Sequence, residues 1–144
     1  MDKNIWPKRT LRAYDRPLTI EQNLTLLATT PARIADLTKG LSPTLLLIPP
    51  EPGVWSARDV LAHLRACADM WGNYIGMILS ENRPTFRAVN PTTWIKQTNY
   101  HEQAFQPSLQ AFTAQRAELL AMIITLLYSS LVLMSEGFGL GAIS

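Results

Sequence analysis

Apolar side chains recur at helical spacing through most of the chain, and the breaks in that pattern mark its elements. Ile20, Leu24, Leu27, Ile34 and Leu37 fall on one face and predict a first helix. Pro31 interrupts that face. Either Thr30-Pro31 caps and starts a fresh helix, or a single helix kinks at Pro31. Gly40 follows the last periodic residue as a C′ glycine. Leu41–Glu51 reads as a connection with its own cluster, Leu45, Leu46, Leu47 and Ile48. Pro49, Pro50 and Pro52 stop any helix there and hold the chain extended.

The second helix is predicted over about Ser56–Ser80. Ser56 is a good N-cap, and Asp59 three residues later makes a short capping box. Asp59 also lies in the first turn, where the helix dipole favours an anion. Trp55 stands at N′, where an apolar residue often packs back on the helix. Val60, Leu64, Cys67, Trp71, Tyr74 and Ile78 step by three or four and predict one buried stripe. Leu61, Ala68, Ile75 and Met77 widen it, while Arg58, Arg65, Asp69 and Asn73 fall mostly off it.

Residues 82–103 form a long connection rich in polar and aromatic residues. A connection of that length is usually functional or folded onto the bundle, and it lets the flanking helices run parallel. The third helix is expected to begin between Asn99 and Ser108 and to continue past Leu120. Phe105, Leu109, Phe112, Leu119 and Ile123 share its face. Arg116 lies on the same face and needs either a carboxylate partner or a partly exposed edge. From Leu119 to Met134 sixteen residues carry no charge, and the amphipathic period is lost. That run is short of the roughly 20 residues that span a bilayer. Gly137, Gly139 and Gly141 predict a loose tail. The pattern holds three long helices, no repeats and no strand.

A chain of 144 residues is most simply one domain, and 47% apolar residues can build a core without staples. The division expected is an arm over 1–17, a helical domain over 18–128 and an atypical tail over 129–144. The net charge is +2, with the excess near the N-terminus at Lys3, Lys8, Arg9, Arg12 and Arg16. No pattern of interleaved aromatic and basic residues follows, so neither nucleic acid nor membrane is an expected partner. The single cysteine, Cys67, excludes an internal disulfide and suits a reducing compartment, the cytoplasm. No apolar h-region of a secretory signal stands at the N-terminus.

The segments Thr30-Pro31-Ala32-Arg33-Ile34, Gly40-Leu41-Ser42 and, above all, Pro52-Gly53-Val54-Trp55-Ser56-Ala57-Arg58-Asp59-Val60-Leu61-Ala62-His63-Leu64 resemble the DinB-like superfamily. The segment Asn99-Tyr100-x-Glu102, before a helix, also resembles a branch of it. The likeness covers roughly residues 20–127. It implies an all-α four-helix bundle of up-down-down-up type, with a long crossover between the second and third helices. It also implies a divalent metal, zinc or nickel, held by three histidines. One of them matches His63, and the other two belong to the fourth helix about one turn apart. Relatives include thiol-dependent transferases and metal-dependent hydrolases.

This chain departs from that pattern. It has two histidines, His63 and His101, and neither lies on a fourth helix. The expectation is therefore a DinB-like bundle whose fourth helix is missing or irregular and whose metal site is incomplete. His63 is the first candidate ligand and His101 the second, with Glu102 or Asp59 as a third donor. The bland reading of His63 is a core-edge histidine, and that of Cys67, one turn further on, is a small hydrophobe. Trp55, Trp71 and Trp94 line either a pocket or, more commonly, a core. The rival function is a non-catalytic helical protein that binds a partner or a small molecule through an apolar groove. An uncovered bundle core also predicts a homo-oligomer. The abrupt loss of period after Met122 fits a shift of reading frame, a natural short variant, or an irregular apolar segment.

Overall fold

The structure is a computed structural model that describes residues 17–139, with the side chains of 91, 92 and 133–139 left aside. Residues 1–16 of the arm expected over 1–17, and Gly141 of the expected loose tail, lie outside the described residues. Every described element is helical: α1 (Ile20–Thr38), α2 (Pro43–Leu47), α3 (Ala57–Ser80), α4 (Pro91–Ile95) and α5 (Phe105–Gly139).

Local chemistry accounts for most of the ends. Thr19 caps α1 by accepting the Gln22 N–H, and the Gln22 side chain returns to the Thr19 N–H. The helix runs unbroken through Pro31, which decides for one helix over two. Pro31 has no N–H to give the Leu27 carbonyl, but its ring is buried, and that burial offsets the lost bond. Gly40 sits at φ +78°, the left-handed geometry expected of a C′ glycine. The connection after it is not wholly extended. Ser42 accepts the Leu45 N–H and, with Pro43 at the first position, starts the short α2, which buries Leu46.

Arg65 bonds Ser108 and Asp69 bonds Gln115, so sequence rises the same way along α3 and α5 and the two run parallel. The C-terminal end of α1 packs beside the N-terminal ends of α3 and α5, so α1 runs against both. That is the first part of an up-down-down-up order. The core lies between these helices at Leu46, Leu61, Phe105, Leu109 and Phe112, with Ile34 and Leu64 against it. A second, smaller core sets Ala62 and Ala66 of α3 against Ile95, flanked by Trp94 and Tyr100. The two alanines let the crossover approach the helix closely.

Two expectations need correction. The buried face of α3 is Leu61, Ala62, Arg65, Ala66 and Met70, not the stripe from Val60 to Ile78. Trp71 is 56% and Ile78 55% exposed. The helix has two apolar faces, and among the described residues no fourth long helix covers the second. The glycine-rich end is also not loose up to residue 139, because α5 continues through Gly137 and Gly139. Glycine in a helix costs about 1 kcal/mol against alanine but removes no hydrogen-bond donor. No proline follows Pro107 to break the ladder. As one continuous helix, Phe105–Val132 is long and apolar enough to cross a membrane by length and composition, which the sixteen-residue run alone was not. Its first half is occupied by the protein core.

Candidate functional site

The N-terminal turn of α3 carries the capping box as expected. Ser56, fully buried, accepts the Asp59 N–H at 3.2 Å and donates its hydroxyl to Asp59 Oδ2 at 2.7 Å. One turn on, His63 faces Trp55, ring centroids 5.1 Å apart and planes at 62°. The crossover returns after α4 and brings His101 to the same turn, its Nδ1 3.2 Å from Asp59 Oδ1. Trp55, Asp59, His63, Ile95 and His101 together line a pocket of about 220 Å³. Two residues far apart in sequence, His63 and His101, thus meet at one pocket. Glu102, the other proposed third donor, is exposed and does not line it.

The electrostatics of the pocket are modest. Burial works to raise the Asp59 pKa, but hydrogen bonds from Ser56 and the contact with His101 outweigh it and hold the carboxyl below its usual range. Burial, helped by the nearby His101, lowers the His63 pKa and favours the neutral ring. His63 Nε2 lies 3.5 Å from Cys67 Sγ, and burial pushes the Cys67 thiol up. A neutral imidazole beside a protonated thiol is not an activated thiolate pair.

The donor set does not fit a divalent metal. A catalytic zinc takes three protein ligands and leaves one position open. Here Asp59 and His101 are each other's partners, and Asp59 Oδ2 belongs to the helix cap. His63 Nε2 is turned to Cys67. Among the described residues no three His, Cys, Asp or Glu side chains converge as metal ligands.

Two further features went unread in the sequence. A polar network crosses the α3–α5 seam. Arg65, only 7% exposed, donates to Gln103 and Ser108 and stands 3.9 Å over the Tyr100 ring. Tyr100 and Gln115 both donate to Asp69. The spacing of Arg65 and Asp69 by four residues, beside Ala62 and Ala66, is the only local trace of it. The second feature is an apolar cleft of about 550 Å³ between the open face of α3 and residues 86–89. Trp71, Tyr74 and Phe86 stack edge to face along it, and the Tyr74 hydroxyl donates to the Arg87 carbonyl. Trp71 therefore lines a cleft, whereas Trp94 packs against the smaller core. Arg116 has no carboxylate partner among the described residues. It is half-buried over the Phe112 ring at 4.9 Å, its Nε unpaired, and burial lowers its pKa.

An all-helical bundle with a parallel second and third long helix, a long crossover and a histidine pocket one turn into α3 is a defined class of protein. The sequence profile of the DinB superfamily matches residues 26–129, and the chain belongs to that superfamily. Among solved structures it is similar to YfiT from Bacillus subtilis, described as "a probable metal-dependent hydrolase with an unusual four-helix bundle topology". The match has a TM-score of 0.62 at 20% identity and covers 76% of this chain and 65% of that one. The chain thus spans about two thirds of the length of that relative. No protein of curated function matches the sequence.

Proposed function

We propose that this chain is a bundle of the metal-dependent hydrolase and thiol-transferase kind whose metal site is incomplete, and that it does not perform that chemistry as it stands. The reading keeps His63 as the one family-type ligand and His101 as a neighbour bound to Asp59. One observation carries it: among the described residues no three His, Cys, Asp or Glu side chains converge as metal ligands. The description of YfiT as a probable metal-dependent hydrolase supports the metal-dependent ancestry. The single thiol supports a reducing compartment, the cytoplasm. The test is metal analysis of the dialysed full chain after loading with zinc and, separately, nickel. Well under one equivalent is expected. One tight equivalent, lost on His63→Ala, overturns the reading.

A second reading is favoured by the apolar cleft. The chain acts as a non-catalytic binding protein, taking a partner or a small apolar molecule against Trp71, Tyr74 and Phe86. Trp71→Ala then weakens uptake of an apolar fluorescent probe several-fold, and an unchanged probe affinity removes this reading.

A further inference from the structure

We infer that the open stripe of α3 is covered by the C-terminal half of α5 from a second copy of this chain, each copy supplying the other with the missing fourth helix. The inference rests on the groove reading above and names its occupant.

Three observations carry it. The sequence pattern makes the Val60-to-Ile78 stripe of α3 a face to be buried, yet Trp71 and Ile78 are more than half exposed. Such a stripe is expected to face another element. The same chain holds a second uncovered apolar surface, the end of α5. There Ile124, Leu127, Tyr128 and Leu131 step by three or four along one side, with Tyr128 70% and Leu131 66% exposed. No residue from Leu119 to Met134 is charged, so no charge in that stretch opposes burial against an apolar groove.

The areas also agree. Taking about 180 Å² for a large apolar residue, Val60, Trp71 and Ile78 leave roughly 270 Å² in water on α3, and Ile124, Leu127, Tyr128 and Leu131 leave roughly 420 Å² on α5. A reciprocal pair in which each copy contributes both patches buries up to roughly 700 Å² per partner. Specific, stable interfaces bury about 600–1,000 Å² per partner. One patch alone falls short, so the two must be used together. A bilayer is the other occupant for the end of α5, but it would leave the α3 stripe uncovered and use only one of the two patches.

Cys67, the only thiol, lies on the α3 stripe and provides the test. Leu127→Cys and Leu131→Cys are made one at a time in the full chain. The purified proteins are treated with a short bis-maleimide and the linked peptides mapped. The expected result is a dimer in light scattering and an intermolecular link from Cys67 to position 127 or 131. Links only between the two introduced cysteines mean that the α5 ends pair with each other, which overturns the assignment. A monomer, whether free or bound to phosphatidylcholine vesicles, also overturns it. A monomer that still takes up the apolar probe leaves the groove reading standing and removes only the second copy. Trp71→Glu and Leu131→Glu give a check in solution. Each variant alone is expected to shift to monomer. Failure of Trp71→Glu to change the mass also overturns the inference.

Discussion

The Arg65 guanidinium stands 3.9 Å over the centre of the Tyr100 ring, and the Tyr100 hydroxyl donates to Asp69 one turn further along the same helix. Tyr100 thus ties the end of the crossover to α3 at two points, one through its face and one through its edge. Tyr100→Phe keeps the ring under Arg65 and removes only the hydroxyl. A loss of about 1 kcal/mol is expected, the net value of one hydrogen bond. Tyr100→Leu removes both contacts and leaves Arg65 less well covered, so a loss of roughly 2–3 kcal/mol is expected. Urea unfolding of the two variants measures the difference. Equal losses would show that the cation–ring contact contributes nothing.

Arg116 gives a prediction of the opposite sign. Its Nε is buried without a partner, and its guanidinium stands over the Phe112 ring. A half-buried cation without a carboxylate pays desolvation that no ion pair returns. Arg116→Leu is expected to leave stability unchanged or raise it by about 1 kcal/mol. A clear destabilisation in urea would mean that the stacking on Phe112 outweighs the lost hydration.

The α3 pocket predicts two separate acid-sensitive steps. His63 is held below its ordinary pKa, so the unfolded chain takes up that proton first. Its contribution is present above the ordinary histidine range and is lost as pH falls through it. Asp59 is also held low, so its contribution is present above the ordinary carboxylate range and lost as pH falls through the lower folded value. Unfolding midpoints followed from about pH 8 to 3 should show both. His63→Gln is expected to flatten the upper step and leave the lower one, and Asp59→Asn the reverse. Identical profiles for the parent and His63→Gln would refute the first assignment.

What the sequence revealed and what it hid divide by range. The Ser56–Asp59 box, the C′ glycine at position 40 and the limits of α3 depend on neighbours within four residues, and all were legible. So was the parallel run of α3 and α5, which follows from the length of the crossover. The DinB-like bundle was legible through the residues from Pro52 to Leu64. The buried face of α3 was not, because the helix has two apolar faces and only the presence of a covering element chooses between them. Arg65 looked like a surface residue because its partners, Gln103 and Ser108, are 38 and 43 positions away. For the same reason nothing in the sequence joined His101 to Asp59, although both had been marked as donors. The short α2 is hard to read because Pro49, Pro50 and Pro52 close behind it break any longer helical period, and only the Ser42-Pro43 start marks it.

The parallel arrangement of α3 and α5 has a kinetic consequence. The bonds that join them link positions 43 and 46 residues apart. In an up-and-down bundle successive helices meet as hairpins, and such local contacts go with fast folding. Here the helices that share Leu61 and Phe112 cannot meet until the crossover between them has closed. Loop closure costs entropy that grows only slowly with length, but it must come before any of the burial between α3 and α5 is gained. α3 can form its first turns alone, guided by its own cap. Its commitment to the native state waits on the return of α5, which makes the crossover, rather than any helix, the element that sets the refolding rate.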